Sequence, residues 1–145
     1  MPEKTLTNWQ SAAAEIQIDG RAFLNGQRLD SLSGKTRPTL NPATGKKIAE
    51  VAYCDANDAD QAVKIARATF VSGVWAGMAP ADRKMVLVRW AELIESHADE
   101  IALLETLDVG KPITDTLNID VSATVRTIRW SGEAIDKVYD EIAPT

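Results

Sequence analysis

The sequence is poor in the residues from which most catalytic sites are built. Its 145 residues include one cysteine, Cys54, and one histidine, His97. A single cysteine permits no disulfide within the chain, which fits a reducing, cytoplasmic location. A single histidine excludes a metal site that takes two histidines from one chain. Cys54 precedes a predicted helix, but the negative charges of Asp55 and Asp58 disfavour a thiolate. We therefore interpret Cys54 as structural or incidental.

Several binding patterns are also missing. The chain contains no GxGxxG and no GxxxxGK[ST] loop, so no nucleotide site can be read from it. No apolar run approaches the ~20 residues of a membrane span. The net charge of -5 provides no basic face for nucleic acid or an anionic membrane. The sequence therefore predicts no catalytic residue set, no cofactor-binding residues, no nucleic-acid partner and no membrane partner.

What is present is the composition of a folded domain, with 45% apolar and 26% charged residues. The composition changes near residue 54. Residues 1–54 are rich in turn residues and β-formers after a short helix predicted over Thr7–Ile16, whereas residues 55–145 are mostly helical in pattern. Asn25-Gly26 predicts a hairpin turn, and Asn41-Pro42 followed by Gly45 predicts a second one. The strands expected around these turns are Ala22–Leu24, Gln27–Leu29, Thr36–Leu40 and Lys47–Tyr53.

Four helices are expected after these hairpins. Asp55 or Asn57 can cap the first, and Pro80 suits the first turn of the second, which is apolar on more than one face. Ser96–Asp99 resembles a capping box that starts a third helix, ending at Gly110. The fourth is expected from Asn118 or Asp120 to Ile142. It carries an apolar seam that requires a partner surface, and a glycine in this seam would let the backbone of another element come close. Residues expected to pack are the stripe Ala59, Ala62, Val63, Ala66 and Phe70, the seam Val121, Val125, Ile128, Gly132, Ile135, Tyr139 and Ile142, and the tryptophans Trp9, Trp75, Trp90 and Trp130.

Two groups of carboxylates are candidates for chemistry. Asp108 follows Ile101 and Leu104 at helical spacing, which predicts that it lies on a buried face and needs a partner. That partner is either an arginine or backbone amide, or a bound cation. Asp115 and Asp120 flank the start of the last helix. They either favour the positive helix terminus or form an anionic lip that attracts an amine.

Five short stretches in a fixed order and spacing extend over nearly the whole chain. They are Phe23-Leu24-Asn25-Gly26, Thr39-Leu40-Asn41-Pro42-Ala43-Thr44-Gly45, Ile48-Ala49-Glu50-Val51, Ala79-Pro80-Ala81-Asp82-Arg83 and Leu103-Leu104-Glu105-Thr106-Leu107-Asp108-Val109-Gly110-Lys111-Pro112. Together they resemble the N-terminal segment of the aldehyde dehydrogenase superfamily. The closing stretches Ile128-Arg129-Trp130, Ala134–Tyr139 and Ala143-Pro144-Thr145 are most similar to the branch that acts on γ-glutamyl-γ-aminobutyraldehyde and other ω-amino aldehydes, which implies a role in polyamine catabolism.

The resemblance implies an NAD(P)⁺-dependent oxidation of an aldehyde to a carboxylic acid. In this family a cysteine thiolate adds to the carbonyl, hydride passes to the nicotinamide, and a glutamate-activated water hydrolyses the thioester. The residues that do this, and those that bind NAD or NADP, are expected after Thr145, and Cys54 matches none of them. The resemblance therefore implies that this chain alone binds neither cofactor and is inactive.

Six residues match functional positions of the family. Thr39 and Leu40 match positions that bind a monovalent cation through backbone carbonyls, and Asp108 matches its carboxylate ligand, so the resemblance implies K⁺ or Na⁺ there. The resemblance also implies that Ile119, Asp120 and Ala123 line the mouth of the aldehyde tunnel, where Asp120 suits an ammonium group. A second carboxylate one turn later, found in some ω-amino-aldehyde enzymes, is replaced here by Ala123.

The implied fold class is α/β. In that fold this segment supplies two N-terminal β-hairpins (residues 1–54, the oligomerisation or edge region) and four to five α-helices of an incomplete NAD-binding domain (residues 55–145). The implied partners are the rest of the dehydrogenase chain, which would also cover the seam of the last helix, and further copies in a homo-oligomer. An alternative is a stand-alone helical oligomerisation or interaction module derived from the same family.

Overall fold

The computed structural model describes residues 6–137 and shows two β-hairpins followed by a packed group of helices. Helix α1 (Leu6–Glu15) precedes the first hairpin, and the second hairpin leads into helix α2. The predicted order of elements is confirmed. The bounds are β1 Ala22–Leu24, β2 Gln27–Leu29, β3 Thr36–Leu40, β4 Lys47–Ala52, α2 Ala56–Val71, α3 Pro80–Ser96, α4 Ala98–Val109, α5 Ile113–Asp115, a π-helix Thr116–Val121, and α6 Ser122–Ala134.

Both hairpins form at the predicted turns. Asn25 and Gly26 have φ values of 52° and 75°, as a tight two-residue hairpin turn requires, and the antiparallel register runs from Ala22 opposite Leu29 to Leu24 opposite Gln27. In the second turn the Asn41 side chain accepts a hydrogen bond from the Ala43 N–H at 2.8 Å. Strands β3 and β4 pair antiparallel, with a register shift between Thr39 and Leu40.

Helix α2 begins at a complete capping box. The Asp55 carboxylate accepts from the Asn57 N–H at 2.8 Å, and the Asp58 carboxylate accepts from the Asp55 N–H at 2.9 Å. Asp55 is therefore the cap, rather than Asn57. Asp58 also accepts from the Leu32 N–H at 2.8 Å, which ties the helix start to the loop before β3. These backbone hydrogen bonds lower the pKa of Asp58.

The core lies among α3, α4, the π-helix and α6. Its buried members are Ala91 from α3, Ala102 and Leu103 from α4, and Val121 and Val125 from the last helical segment. The expected seam therefore exists, but its partner is α3 of the same chain, so the expectation that the seam waits for later sequence is wrong for the described residues. Seam positions Tyr139 and Ile142 lie outside them.

Gly132 lies where α6 packs closely against α3. It is buried, and a Cβ placed on it would lie 3.1 Å from Leu87 Cβ and 3.4 Å from the Lys84 carbonyl oxygen. The glycine was expected to allow a second backbone to come close, and this is confirmed. Two ion pairs flank the contact: Lys84–Asp136 and Arg129–Glu95, each 2.9 Å long.

Several residues that were expected to pack are exposed. Helix α2 has no buried residue; Val63 is 68% exposed and Phe70 71% exposed, so the predicted buried stripe is wrong. Helix α3, although apolar on more than one face, has one of these faces uncovered, with Met85 64% exposed. Among the tryptophans only Trp9 is half-buried; Trp75, Trp90 and Trp130 are exposed. The physical reason is that no described element lies over these faces.

The beginnings of the last two long helices also differ from expectation. Helix α4 starts after His97 with no side-chain cap, so the predicted capping box at Ser96–Asp99 is wrong. The last helix starts earlier than predicted, because a π-helical segment continues into α6 without a break at Asp120. Within the described residues, no helix has both the length and the apolar composition to cross a membrane.

The close contact at Gly132 predicts that a large side chain there will separate the two helices. We expect Gly132→Leu to lower the free energy of unfolding by about 1–3 kcal/mol, as overpacking of a tight core does. Urea unfolding of the chain measures this. The matched control is Glu133→Leu at the next, exposed position of α6, expected within about 0.5 kcal/mol of the parent chain. Equal losses in the two variants would contradict the prediction.

The ion pair between Lys84 and Asp136 predicts a pH dependence. Hydrogen bonds from Lys84 and Lys137 lower the pKa of Asp136 from 3.8 to about 2. Because the folded-state pKa is lower, ionised Asp136 stabilises the fold above pH 3.8, and this contribution is lost as the pH falls towards 2. We expect Asp136→Asn to be less stable than the parent at pH 7 and equally stable near pH 2.

Unfolding of both chains in urea across this pH range provides the measurement. The control is Glu92→Gln, because the Arg89–Glu92 pair joins two residues of the same helix and connects no separate elements. A difference between Asp136→Asn and parent that is the same at pH 7 and pH 2 would show that the carboxylate charge is not the cause.

Candidate functional site

A contact between the second hairpin and the end of α4 brings together two of the predicted site residues. The Thr39 hydroxyl donates a hydrogen bond to the Asp108 carboxylate at 3.0 Å, across 69 residues of sequence. Gly110 ends α4 in the left-handed conformation, with φ 82°. A Cβ at Gly110 would lie 2.7 Å from Pro42 Cγ, so the turn of the hairpin sits directly against the end of this helix.

Asp108 is exposed, which corrects the expectation of a buried carboxylate. The cause is the orientation of α4. Its residues Ala102 and Leu103 enter the helical core, whereas Ile101, Leu104 and Asp108 line an open cleft between α4 and the second hairpin. The cleft has a volume of about 450 Å³ and is also lined by Thr39. Leu40 is 51% exposed and is not one of the residues lining it.

Apolar side chains form much of the lining of this cleft, and Asp108 and Thr39 together provide a pair of hard oxygen ligands in it. Asp108 offers a carboxylate, and the Thr39 hydroxyl keeps its own lone pairs while it donates to that carboxylate. One negative charge with neutral oxygens suits a monovalent cation better than a divalent one. Among the described residues there is no group of three or more histidine, cysteine, aspartate or glutamate side chains that could hold a metal ion.

The second candidate group lies at the π-helix. Ile119 is exposed, and Asp120 and Ala123 are half-buried. Asp120 accepts a hydrogen bond from the Lys111 ammonium at 2.6 Å. Asp120 stands inside a continuous helical segment, so it does not occupy the helix N-terminus that one interpretation required. Asp115 lies in the first turn of α5, and helical structure continues from α5 through the π-helix into α6, so Asp115 stands near the N-terminal end of this segment, as the first interpretation expected.

Lys111 is the functional candidate that sequence reasoning missed. Its hydrogen bond with Asp120 raises the pKa of the Lys111 ammonium, and the charges of Glu105 and Asp115 raise it further. In the sequence Lys111 stands between the helix-ending Gly110 and Pro112, nine residues before Asp120. No helical or strand periodicity relates two positions across such a turn. The only sequence feature that pointed to this ion pair was one basic residue, Lys111, among several acidic ones.

Pro42 packs directly against Gly110, which predicts that the stability of the second hairpin and that of α4 are energetically coupled. We expect Gly110→Ala to lower the free energy of unfolding by about 2–4 kcal/mol, because the left-handed conformation disfavours a Cβ and Pro42 occupies its space. In a chain that already carries Pro42→Ala, Gly110→Ala should lower the free energy of unfolding by only about 1–2 kcal/mol, because only the cost of the left-handed conformation remains. Urea unfolding of the four chains forms a double-mutant cycle. Additive losses would contradict a direct contact.

Comparison with known proteins agrees with this arrangement. The sequence model of the Aldehyde dehydrogenase family matches residues 29–145. An aminoacetaldehyde dehydrogenase of Pseudomonas aeruginosa is 45% identical over 136 residues, which are 94% of this chain and 27% of that protein. The NADP/NAD-dependent aldehyde dehydrogenase PuuC of Escherichia coli is 44% identical over 140 residues, covering 97% of this chain and 28% of that protein.

A solved structure gives the same result at the level of the fold. The crystal structure of a gamma-glutamyl-gamma-aminobutyraldehyde dehydrogenase from Burkholderia cenocepacia superimposes with a TM-score of 0.95 at 48% identity, over 98% of this chain and 29% of that one. The chain thus spans somewhat more than a quarter of the length of these relatives, and its two hairpins and helices match the N-terminal part of their fold. The chain belongs to the aldehyde dehydrogenase family.

Proposed function

We propose that the whole protein oxidises an ω-amino or γ-glutamyl-amino aldehyde to its carboxylic acid with NAD⁺ or NADP⁺. The observation that carries this proposal is the 44–45% identity, over almost the whole of this chain, to an aminoacetaldehyde dehydrogenase and to PuuC. The likeness to a gamma-glutamyl-gamma-aminobutyraldehyde dehydrogenase supports the same substrate class. The chain itself is one piece of that enzyme.

Most of this chain would have a structural role. Residues 1–54 would form the oligomerisation or edge region, and residues 55–145 the helical part of an NAD-binding domain. The sequence has no glycine-rich loop between a strand and a helix. We therefore expect this chain alone to offer no binding site for a dinucleotide. On this proposal the chain alone is inactive.

Two groups of residues would serve the reaction from this chain. Ile119, Asp120 and Ala123 would line the mouth of the substrate tunnel, with Asp120 facing the charged end of the aldehyde. Thr39 and Leu40, through their backbone carbonyls, and Asp108, through its carboxylate, would bind K⁺ or Na⁺. The hydrogen bond from Thr39 to Asp108 supports the second assignment, because it places the two residues side by side.

The activity is tested with the full-length protein and with this chain in parallel. We expect the full-length protein to form NADH or NADPH, measured by absorbance, with 3-aminopropanal as substrate. The 145-residue chain should form none under the same conditions. Turnover by the short chain would contradict the assignment of the catalytic residues to later sequence, and its absence from the full-length protein would contradict the proposed function.

The cation site is tested by thermal unfolding in K⁺, Na⁺ and choline salts at equal ionic strength. A ligand at ten times its Kd stabilises the folded state by about 1.4 kcal/mol, so the parent should unfold at a higher temperature in K⁺ or Na⁺ than in choline. Asp108→Asn should remove this difference. The control Glu100→Gln changes an exposed carboxylate in the first turn of the same helix and should preserve it. A parent chain that responds equally to all three salts would exclude the site.

A stand-alone oligomerisation module is the second candidate, and one observation favours it. Large apolar side chains remain exposed on α2, α3 and α6, among them Trp130 at 72% and Phe70 at 71%. Surfaces of this kind are covered by another protein surface when they function. A monodisperse oligomer of the isolated chain with cooperative unfolding would support the module; aggregation would support the incomplete domain.

A further inference from the structure

The ion pair between Lys111 and Asp120 places a positive charge beside the carboxylate of the predicted tunnel mouth. Asp120 was expected to present a free negative charge to an incoming ammonium group. In the structure the Lys111 ammonium lies 2.6 Å from Asp120 Oδ2 and already occupies that position. An incoming ammonium and the Lys111 ammonium have the same charge and the same hydrogen-bonding chemistry, so they compete for one carboxylate.

We propose that Lys111 is a specificity-determining residue: it neutralises Asp120 and so reduces the preference of the enzyme for aldehydes that carry an ammonium group. This proposal rests on the proposed function, since it concerns the substrate of the same site. A neutral aldehyde passes the pair without disturbing it. An amino aldehyde gains the contact with Asp120 only by displacing Lys111.

The geometry makes this displacement feasible. The side chains of Lys111 and Asp120 are 46% and 31% exposed, so neither is enclosed and the pair can open without unfolding its surroundings. A pair of this exposure contributes little net free energy, because water solvates the separated charges well. The competition therefore changes specificity by a modest factor and does not abolish binding of either substrate class.

Besides Asp120, two other carboxylates act on the Lys111 ammonium. They are Glu105 on α4 and Asp115 at the end of α5. Asp120 is in ion-pair contact with the Lys111 ammonium, whereas Glu105 and Asp115 act on it through their charge, and these three carboxylates outnumber the one lysine. When a substrate ammonium takes Asp120, the negative charges of Glu105 and Asp115 still favour the charged form of Lys111. The backbone of Lys111 is held between Gly110, in the left-handed conformation, and Pro112, so only the side chain needs to move.

The experiment compares two substrates of equal length in the full-length enzyme. 3-Aminopropanal and butanal differ only in an ammonium group in place of a methyl group. We expect Lys111→Met to raise the ratio of kcat/KM for 3-aminopropanal over butanal by about three- to fivefold, the factor that a partly exposed ion pair supplies. The change should lie in KM for 3-aminopropanal, with kcat for both substrates unaltered.

Asp120→Asn should lower the same ratio, because it removes the carboxylate that would bind an ammonium and leaves the positive charge of Lys111 at the tunnel mouth. The double variant should return to within about twofold of the parent, since both charges are gone. Lys64→Met, which removes an exposed lysine of α2, is the matched control and should leave the ratio unchanged. Lys111→Gln removes the charge and keeps a hydrogen-bond donor, and it replaces Lys111→Met if that variant does not fold.

The outcomes separate the two proposals. Failure of the parent enzyme to oxidise either aldehyde contradicts the proposed function. Oxidation of both, with a ratio that neither Lys111→Met nor Lys111→Gln raises, overturns the role of Lys111 and leaves the proposed function standing. A fall in kcat for both substrates equally would also overturn it, because Lys111 would then act on the stability of the site and not on the charge of the substrate.

Discussion

The close packing of α6 on α3 is the contact on which the rest of the structure depends. It is possible only because Gly132 has no side chain, so that the α6 backbone approaches Leu87 and the Lys84 carbonyl. The same seam continues through Val125 and Val121, which reach the interior together with Ala91 and Ala102. Helix α4 is held in place by this core, and the two candidate sites lie at its C-terminal end.

Helix α4 has two different sides, and this difference accounts for the placement of the chemistry. One side, with Ala102 and Leu103, is buried, while the other lines the open cleft that contains Thr39 and Asp108. Beyond its end, Gly110 turns the chain under Pro42, and Lys111 reaches Asp120. The hairpin, α4 and the π-helix thus meet in one small region, although the hairpin is far from the two helices in sequence.

Local features of the fold were readable from the sequence because they depend on neighbouring residues. The Asn25-Gly26 turn, the cap at Asp55 and the left-handed Gly110 each follow from the conformational properties of one or two residues. The exposure of Phe70 and Trp130 could not be predicted, because an amphipathic pattern shows which face is apolar and not whether anything covers it. Asp108 was misplaced for the same reason: helical spacing put it beside Ile101 and Leu104, but that side of the helix faces an open cleft. The Lys111–Asp120 pair joins positions across a turn, where no periodicity applies.

The π-helix at Thr116–Val121 sets the direction of Asp120. Thr116 and Val121 are both buried although they are five residues apart, which is one turn of a π-helix and well over one turn of an α-helix. The segment thus holds one residue more than a regular helix of the same pitch would need. Substitutions within it change individual side chains. The loss of one residue would let the segment become a regular α-helix with its two ends in phase, but the direction that the π-helical turn gives to Asp120 would be lost. This part of the chain is therefore constrained in length more strictly than in composition, and related sequences that keep Lys111 opposite Asp120 should align through it without gaps.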